Sequence, residues 1–122
     1  MQAANLLNAV KKHPNFHRAG MVLCHNGVVR ATSRDGRRVS GLRVQVDTQR
    51  LGAVLAAARQ RPGIVDVQVE IAADQDLSIG DDVMVLVVAG DVRENVIETL
   101  EETLNAIKTT VTSKTEFFIA PQ

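Results

Sequence analysis

Residues 83–89 read Val83-Met84-Val85-Leu86-Val87-Val88-Ala89, a run with no polar side chain. It is too short for a stable helix and rich in β-branched valine, so it predicts a strand. A strand with one wet face alternates apolar and polar residues. This one does not, so it is expected to lie in the middle of its sheet with both faces covered.

The neighbouring segments supply the layers. Residues 64–72, IVDVQVEIA, alternate, and the pattern predicts a strand with Asp66, Gln68 and Glu70 outside. Residues 41–47, GLRVQVD, alternate as well, with Leu42, Val44 and Val46 on one face and Arg43 and Gln45 on the other. Between these two, residues 49–61 place Leu51, Val54, Leu55 and Ala58 on one helical face, and Pro62-Gly63 stops the helix. The turn Ile79-Gly80-Asp81-Asp82 leads into the apolar run. After it, Asp91 and Glu94 form a capping-box-like pair, and a helix is expected over 92–110. Val96, Ile97, Leu100, Leu104 and Ile107 would face inward, and Glu98, Glu101 and Glu102 outward. Residues 115–120, TEFFIA, make a last strand.

From residue 41 onward the order is strand, helix, strand, strand, helix, strand. This predicts an α/β (α+β) fold with a ferredoxin-like split βαβ core, a four-stranded and mainly antiparallel sheet with both helices on one face. Residues 20–25, GMVLCH, and the polar loop 31–40 around Asp35-Gly36 would form an added strand-and-loop subdomain. A short helix over 4–12, with Leu6, Leu7 and Val10 on one side, ends at Pro14.

Composition bounds the rest. The length, 122 residues, suits a single domain over 1–122, and 45% hydrophobic residues suffice for a core without metals or disulfides. There is no Trp or Tyr, so that core is aliphatic. Cys24 stands alone, which excludes an internal disulfide and a cysteine zinc site; its plain reading is a small buried hydrophobe. No stretch reaches the roughly 20 apolar residues of a membrane span, and the N-terminus lacks a signal-peptide pattern. A cytoplasmic protein with no membrane or nucleic-acid partner is expected. Net charge is zero, yet residues 1–62 hold eleven Lys/Arg against two Asp/Glu, while 63–122 hold three against twelve. The halves thus carry +9 and −9, which the fold or a dimer would bring together. A basic pocket for an anionic ligand is the functional version.

No catalytic triad, phosphate-binding glycine loop, dinucleotide motif or metal-ligand cluster is visible, so neither metal nor cofactor is expected. His13, His17 and His25 lack metal-binding spacing, and a surface or half-buried role is the plainer one. Gly36-Arg37-Arg38 is either a solvated turn or an anion clamp, since guanidinium forks match phosphate and carboxylate. Lys108 and Lys114 bracket the end of the long helix, where cations are favourable in any case.

The order of elements and several local phrases resemble the catalytic (large) subunit family of molybdopterin synthase. Gly27-Val28-Val29-Arg30 matches a strand-ending phrase of that family before a polar loop, here Arg34-Asp35-Gly36-Arg37-Arg38-Val39. Asp76-Leu77-Ser78-Ile79-Gly80-Asp81 is similar to the turn that precedes its apolar strand. Val92-Arg93 stands where the family opens its long helix with His-Arg, and Ile107-Lys108 where that helix ends in lysine. The similarity covers roughly residues 18–117. It implies sulfur transfer from the thiocarboxylate of a small ubiquitin-like carrier subunit ending in Gly-Gly to cyclic pyranopterin monophosphate, forming molybdopterin in a homodimer. By position it implies Lys108 and, more loosely, Lys114 as catalytic residues. Arg30 and Arg93 match substrate- or anion-binding positions, and Lys108, Arg30 and Arg93 are expected to converge on one pocket that Arg37 or Arg38 of a partner chain completes.

Some positions depart from the pattern. Val92 replaces the histidine, and Thr112-Ser113-Lys114 replaces a phrase with proline and an aromatic residue. Three readings therefore stand. One is an active sulfurtransferase of molybdenum cofactor biosynthesis. Another is a catalytically degenerate homologue acting as a dimeric binding or regulatory protein. The third is an unrelated ferredoxin-like module.

Overall fold

Val85, Val87, Ala89, Leu86 and Val88 have no exposed surface, so the apolar run is covered on both faces as its composition requires. The structure, a computed structural model, describes residues 2–120. The run forms β5 (Asp82–Gly90). It pairs antiparallel with β1 (Met21–Val28) on one side and with β3 (Ile64–Ile71) on the other. Met84, Leu86 and Val88 face α2 (Thr48–Arg59) and α3 (Arg93–Ala106), meeting Val54, Ala58, Val96 and Leu100. The alternate residues Val85, Val87 and Ala89 face α1 (Ala3–Lys11), whose Leu6 and Val10 cover them. As expected, α2 and α3 share one face of the sheet.

The α/β class holds, but the strands divide into two sheets rather than one of four. β2 (Val39–Val46) pairs with β4 (Asp76–Ser78) and β6 (Thr112–Phe118), all antiparallel, in a second sheet. The place beside β5 goes to β1, from the segment expected to be an added subdomain. The physical reason is pattern. Met21 and Leu23 join the α2–α3 core while Val22 and Cys24 join the α1 core, so β1 is apolar on both faces. β2 has one wet face and suits a sheet covered on one side only. Leu42 and Val44 pack with Leu77 and Val29 in a smaller core. Val46 and Ile71 touch both that core and the main one, forming a seam between the sheets.

Four local expectations need correction. Asp66 is not outside but 5% exposed. The β3–β5 register shifts between Ile64 and Asp66, which turns Val65 toward α1. A buried carboxylate needs partners; Asp66 accepts the Val67 N–H at 2.8 Å and the Gln68 amide at 3.0 Å, with the Arg59 guanidinium at 3.5 Å. Asp91 and Glu94 do not form a capping box, because Val92 is the N-cap residue. Asp91 instead accepts the Val92 N–H and the Asn95 amide, at 2.6 and 2.9 Å. The Asn95 bond, then the Val92 N–H, hold its carboxyl below the usual range. Ile97 is 46% exposed, and Thr99 and Thr103 are buried in its stead. Val96, Leu100, Thr103 and Ile107 make one stripe at helical spacing, and Ile97 lies about 100° off it. Finally, α3 ends at Ala106 and β6 begins at Thr112, both earlier than expected.

Three ion pairs join the basic first half to the acidic second: Arg43–Asp76, Arg59–Asp66 and Arg61–Glu98. The fold itself thus brings the opposed charges together. Gly63 has φ +77°, and a side chain there would collide with the Asp91 carboxylate and the Asn95 amide. The Asp91 N–H also donates to the Gly63 carbonyl at 2.9 Å, fastening the turn before β3 to the turn before α3.

Leu86→Ala should destabilise the protein by about 3 kcal/mol, because the side chain is fully enclosed between β5 and the helices. Ile97→Ala should cost less than about 0.5 kcal/mol, being a substitution at an exposed position. Urea unfolding of both variants measures the difference, and equal losses would contradict the assigned face of α3.

Candidate anion-binding cleft

The site begins where α3 stops. Thr109, Thr110, Val111 and Thr112 form a β-branched run, which continues a helix poorly. The chain widens into a π-helical turn over Ile107–Val111. The Thr109 and Thr110 hydroxyls donate to the carbonyls of Asn105 and Ala106 at 2.8 and 2.6 Å, and the Thr112 hydroxyl to Ile107 at 3.3 Å. These hydroxyls bond carbonyls of the wide turn, where the Thr112 N–H also donates to the Ile107 carbonyl. Ile107 and Val111 stay in the core, which leaves Lys108 pointing out.

Lys108 lines a cleft of about 510 Å³ together with Arg34, Lys114, Asn105 and Thr109. Its apolar lining includes Val44 of β2, Ile71 of β3 and Met84 of β5, so it opens on the seam between the sheets. Three cations line it, and no carboxylate does so among the described residues. Lys114 stands on β6, opposite Val44. It has the half-buried Glu116 at 3.9 Å, a long pair at the outer limit of an ion-pair contact.

Arg34 belongs to a tongue over residues 31–38. The Val39 N–H donates to the Ala31 carbonyl, Thr32 bridges to Arg38, and Gly36 turns the tip with φ +86°. The buried Ser33 hydroxyl donates to Asp35. That bond, with further bonds and charge from Arg37, holds the Asp35 carboxyl below the usual range.

The six residues singled out from sequence separate. Lys108 and Lys114 meet at the cleft. Arg37 is engaged elsewhere, paired with Asp35 at 2.8 Å and stacked 3.8 Å over the Phe118 ring, so it pins the tongue to β6. Arg30 is exposed and donates to the Thr32 carbonyl at 2.8 Å, and Arg38 is exposed on the tongue. Arg93 lines a separate depression with Gly20, Met21, Val92, Glu94 and Ile97, at the start of α3. At 1.5 Å per residue the helix puts it on the order of 20 Å from Lys108. Within one chain, then, Arg30, Arg37, Arg38 and Arg93 do not line the cleft. Sequence reasoning missed Arg34. Nothing in the run of arginines ranks one over another, and only the hairpin pairing of the tongue decides which of them reaches the cleft.

Sequence reasoning also left His25 without a role. It sits on β1 opposite Leu86. Burial, and then the charge of Lys108, push its imidazole below the usual histidine value. His13 is occupied locally, its Nδ1 accepting the Asn15 N–H at 3.0 Å. Among the described residues no three His, Cys, Asp or Glu side chains gather as a metal-binding group. No described helix is long and apolar enough to cross a membrane.

A family model described as MoaE protein matches residues 1–110. The fold is similar to molybdopterin synthase from Staphylococcus aureus, with TM-score 0.71 and 19% identity over 85% of this chain and 78% of that one. It is similar to a protein–protein complex of subunits 1 and 2 of molybdopterin-converting factor from Helicobacter pylori, with TM-score 0.70 and 18% identity over 100% and 86%. It is also similar to molybdopterin cofactor biosynthesis protein E from Burkholderia multivorans, with TM-score 0.75 and 22% identity over 98% and 84%. No curated protein matches the sequence.

The His25 environment yields a check of the cleft's geometry. Its folded value lies below the unfolded one of about 6.5. Its contribution to stability is therefore present above that pH and lost as pH falls toward the folded value. In Lys108→Met the His25 resonance should titrate at higher pH than in the wild type, followed by NMR between pH 4.5 and 8. Identical titrations would mean that Lys108 does not approach His25.

Proposed function

The chain belongs to the MoaE protein family, and we propose that it acts in molybdenum cofactor biosynthesis as the sulfur-transferring large subunit of a molybdopterin synthase. The observation that carries this reading is the cleft, where Arg34, Lys108 and Lys114 surround an apolar floor without a lining carboxylate. Like charges at short range cost free energy unless an anion compensates them. Cyclic pyranopterin monophosphate brings a phosphate, and the small carrier subunit brings an anionic C-terminal thiocarboxylate. The Helicobacter pylori relative is a complex of two subunits, which supports a small partner for this chain as well.

In this reading Arg34 and Lys114 hold substrate oxygens by charge-assisted hydrogen bonds. Lys108, at the end of α3, supplies the amine for proton transfer or nucleophilic attack. The apolar floor faces the ring system. The working form is a homodimer, and the reading assigns Arg38, Arg30 and Arg93 of a second copy to substrate. Arg37 is the weaker candidate because Asp35 and Phe118 already hold it. The reading treats residues 1–122 as one domain working in the cytoplasm.

A second reading, a dimeric binding or regulatory protein without catalysis, is favoured by one observation. Val92, where the family has histidine, is 49% exposed and offers no proton-transfer group.

Reconstitution with a thiocarboxylated small subunit and cyclic pyranopterin monophosphate separates the two. The first reading expects molybdopterin to form, and it expects Lys108→Ala to lower turnover by about 100-fold or more. Folding should survive, since a lysine at a helix end contributes at most about 1 kcal/mol. Lys114→Ala should slow turnover by about tenfold, the loss of roughly one charge-assisted contact. A wild-type protein that binds the small subunit without forming product supports the second reading. Light scattering at physiological salt tests the dimer, and a monomer at every concentration counts against it.

A further inference from the structure

His25 is the one titratable side chain on the helix-facing side of β1, following Met21 and Leu23 in the alternation. Directly across lies the buried Leu86. Next on the same face comes Gly27, opposite Met84. The His25 Nε2 lies 3.4 Å from where a Gly27 Cβ would stand. The ring therefore leans along the strand, over the glycine, toward Met84. Met84 lines the cleft with Lys108.

β5 offers Leu86 and Met84, Lys108 of the turn after α3 bears on the ring, and the cleft beyond holds Arg34 and Lys114, the latter with Glu116 at 3.9 Å. No acidic group of the lining balances a charged imidazole. Burial and the Lys108 charge favour the neutral ring in the empty protein.

We infer that His25 is a further, proton-linked positioning residue of this cleft: when an anion settles among Arg34, Lys108 and Lys114, the imidazole over Gly27 takes up a proton and joins them. The inference rests on the anion-cleft reading above. A bound dianion cancels the field of Lys108 at the ring and favours its charged form. By linkage the anion then binds more tightly as pH falls through the His25 range. The neutral ring leaves the surroundings of the empty cleft less positively charged, and the protonated ring adds a positive charge beside the occupied one.

Sulfate is the probe, because its charge is constant between pH 5.5 and 8 whereas that of phosphate is not. Calorimetric titration of the wild-type protein should show affinity rising on acidification, by roughly tenfold for each unit by which sulfate raises the His25 pKa. Saturating sulfate should move the His25 resonance to titrate at higher pH. His25→Gln should bind sulfate with little pH dependence, and Lys108→Met should bind it more weakly at every pH. If His25→Gln keeps the wild-type pH dependence, or if sulfate leaves the His25 titration unmoved, the inference is overturned while the cleft stands. If Lys108→Met binds as tightly as wild type, the cleft reading itself fails and the inference falls with it. The NMR titration of the wild-type protein decides the matter even where a variant does not fold.

Discussion

β5 must be dry on both faces. From Val83 to Ala89 it carries no polar side chain to turn toward water, so each face requires its own layer. α1 covers one and the α2–α3 pair the other, and the two edges go to β1 and β3. β1, whose Met21 and Leu23 join one core and Val22 and Cys24 the other, takes the place that a single four-stranded sheet would give to β2, while β3 keeps Gln68 and Glu70 on one side. β2, β4 and β6 form the second sheet. The seam between the sheets, where Val46 and Ile71 contact both cores, follows from that division.

The cleft opens along this seam. A β-branched run ends α3 in a wide turn, and threonine hydroxyls take up its last carbonyls. Ile107 and Val111 remain fixed in the core, so the exposed residues between them, Lys108 to Thr110, are held at both ends. Lys108 is therefore a lysine on a short, anchored turn rather than on a fraying helix terminus. Lys114 arrives from β6 and Arg34 from a tongue that Arg37 pins to Phe118. One arginine of the basic loop is structural, and a neighbour three residues away is free to face the cleft.

The charge asymmetry of the chain divides in the same way. Much of it is absorbed by ion pairs between the halves, at Arg43–Asp76, Arg59–Asp66 and Arg61–Glu98. The cations that line the cleft draw on both halves, with Arg34 from the basic one and Lys108 and Lys114 from the acidic one. His25 adds a titratable group at the same end of the sheet, on the dry side of β1.

Patterns with a fixed period were legible in the sequence. The valine run of β5, the alternation of β2, the face of α2 and the stops at Pro14 and Pro62-Gly63 follow from local rules of burial and backbone geometry. So did Lys108 and Lys114, through the resemblance and their place at the helix end. Tertiary structure decided the rest, for reasons no local window contains. Asp66 is buried because the strand register slips beside it. Ile97 is exposed because the contacts with β5 and α2 select the stripe through Thr99 and Thr103. Arg34 lines the cleft and Arg93 does not, because a hairpin folds one back to the seam while the length of α3 separates the other from Lys108. Residue type determined which side chains could hold an anion, and chain crossing alone determined which of them stand close enough to do it.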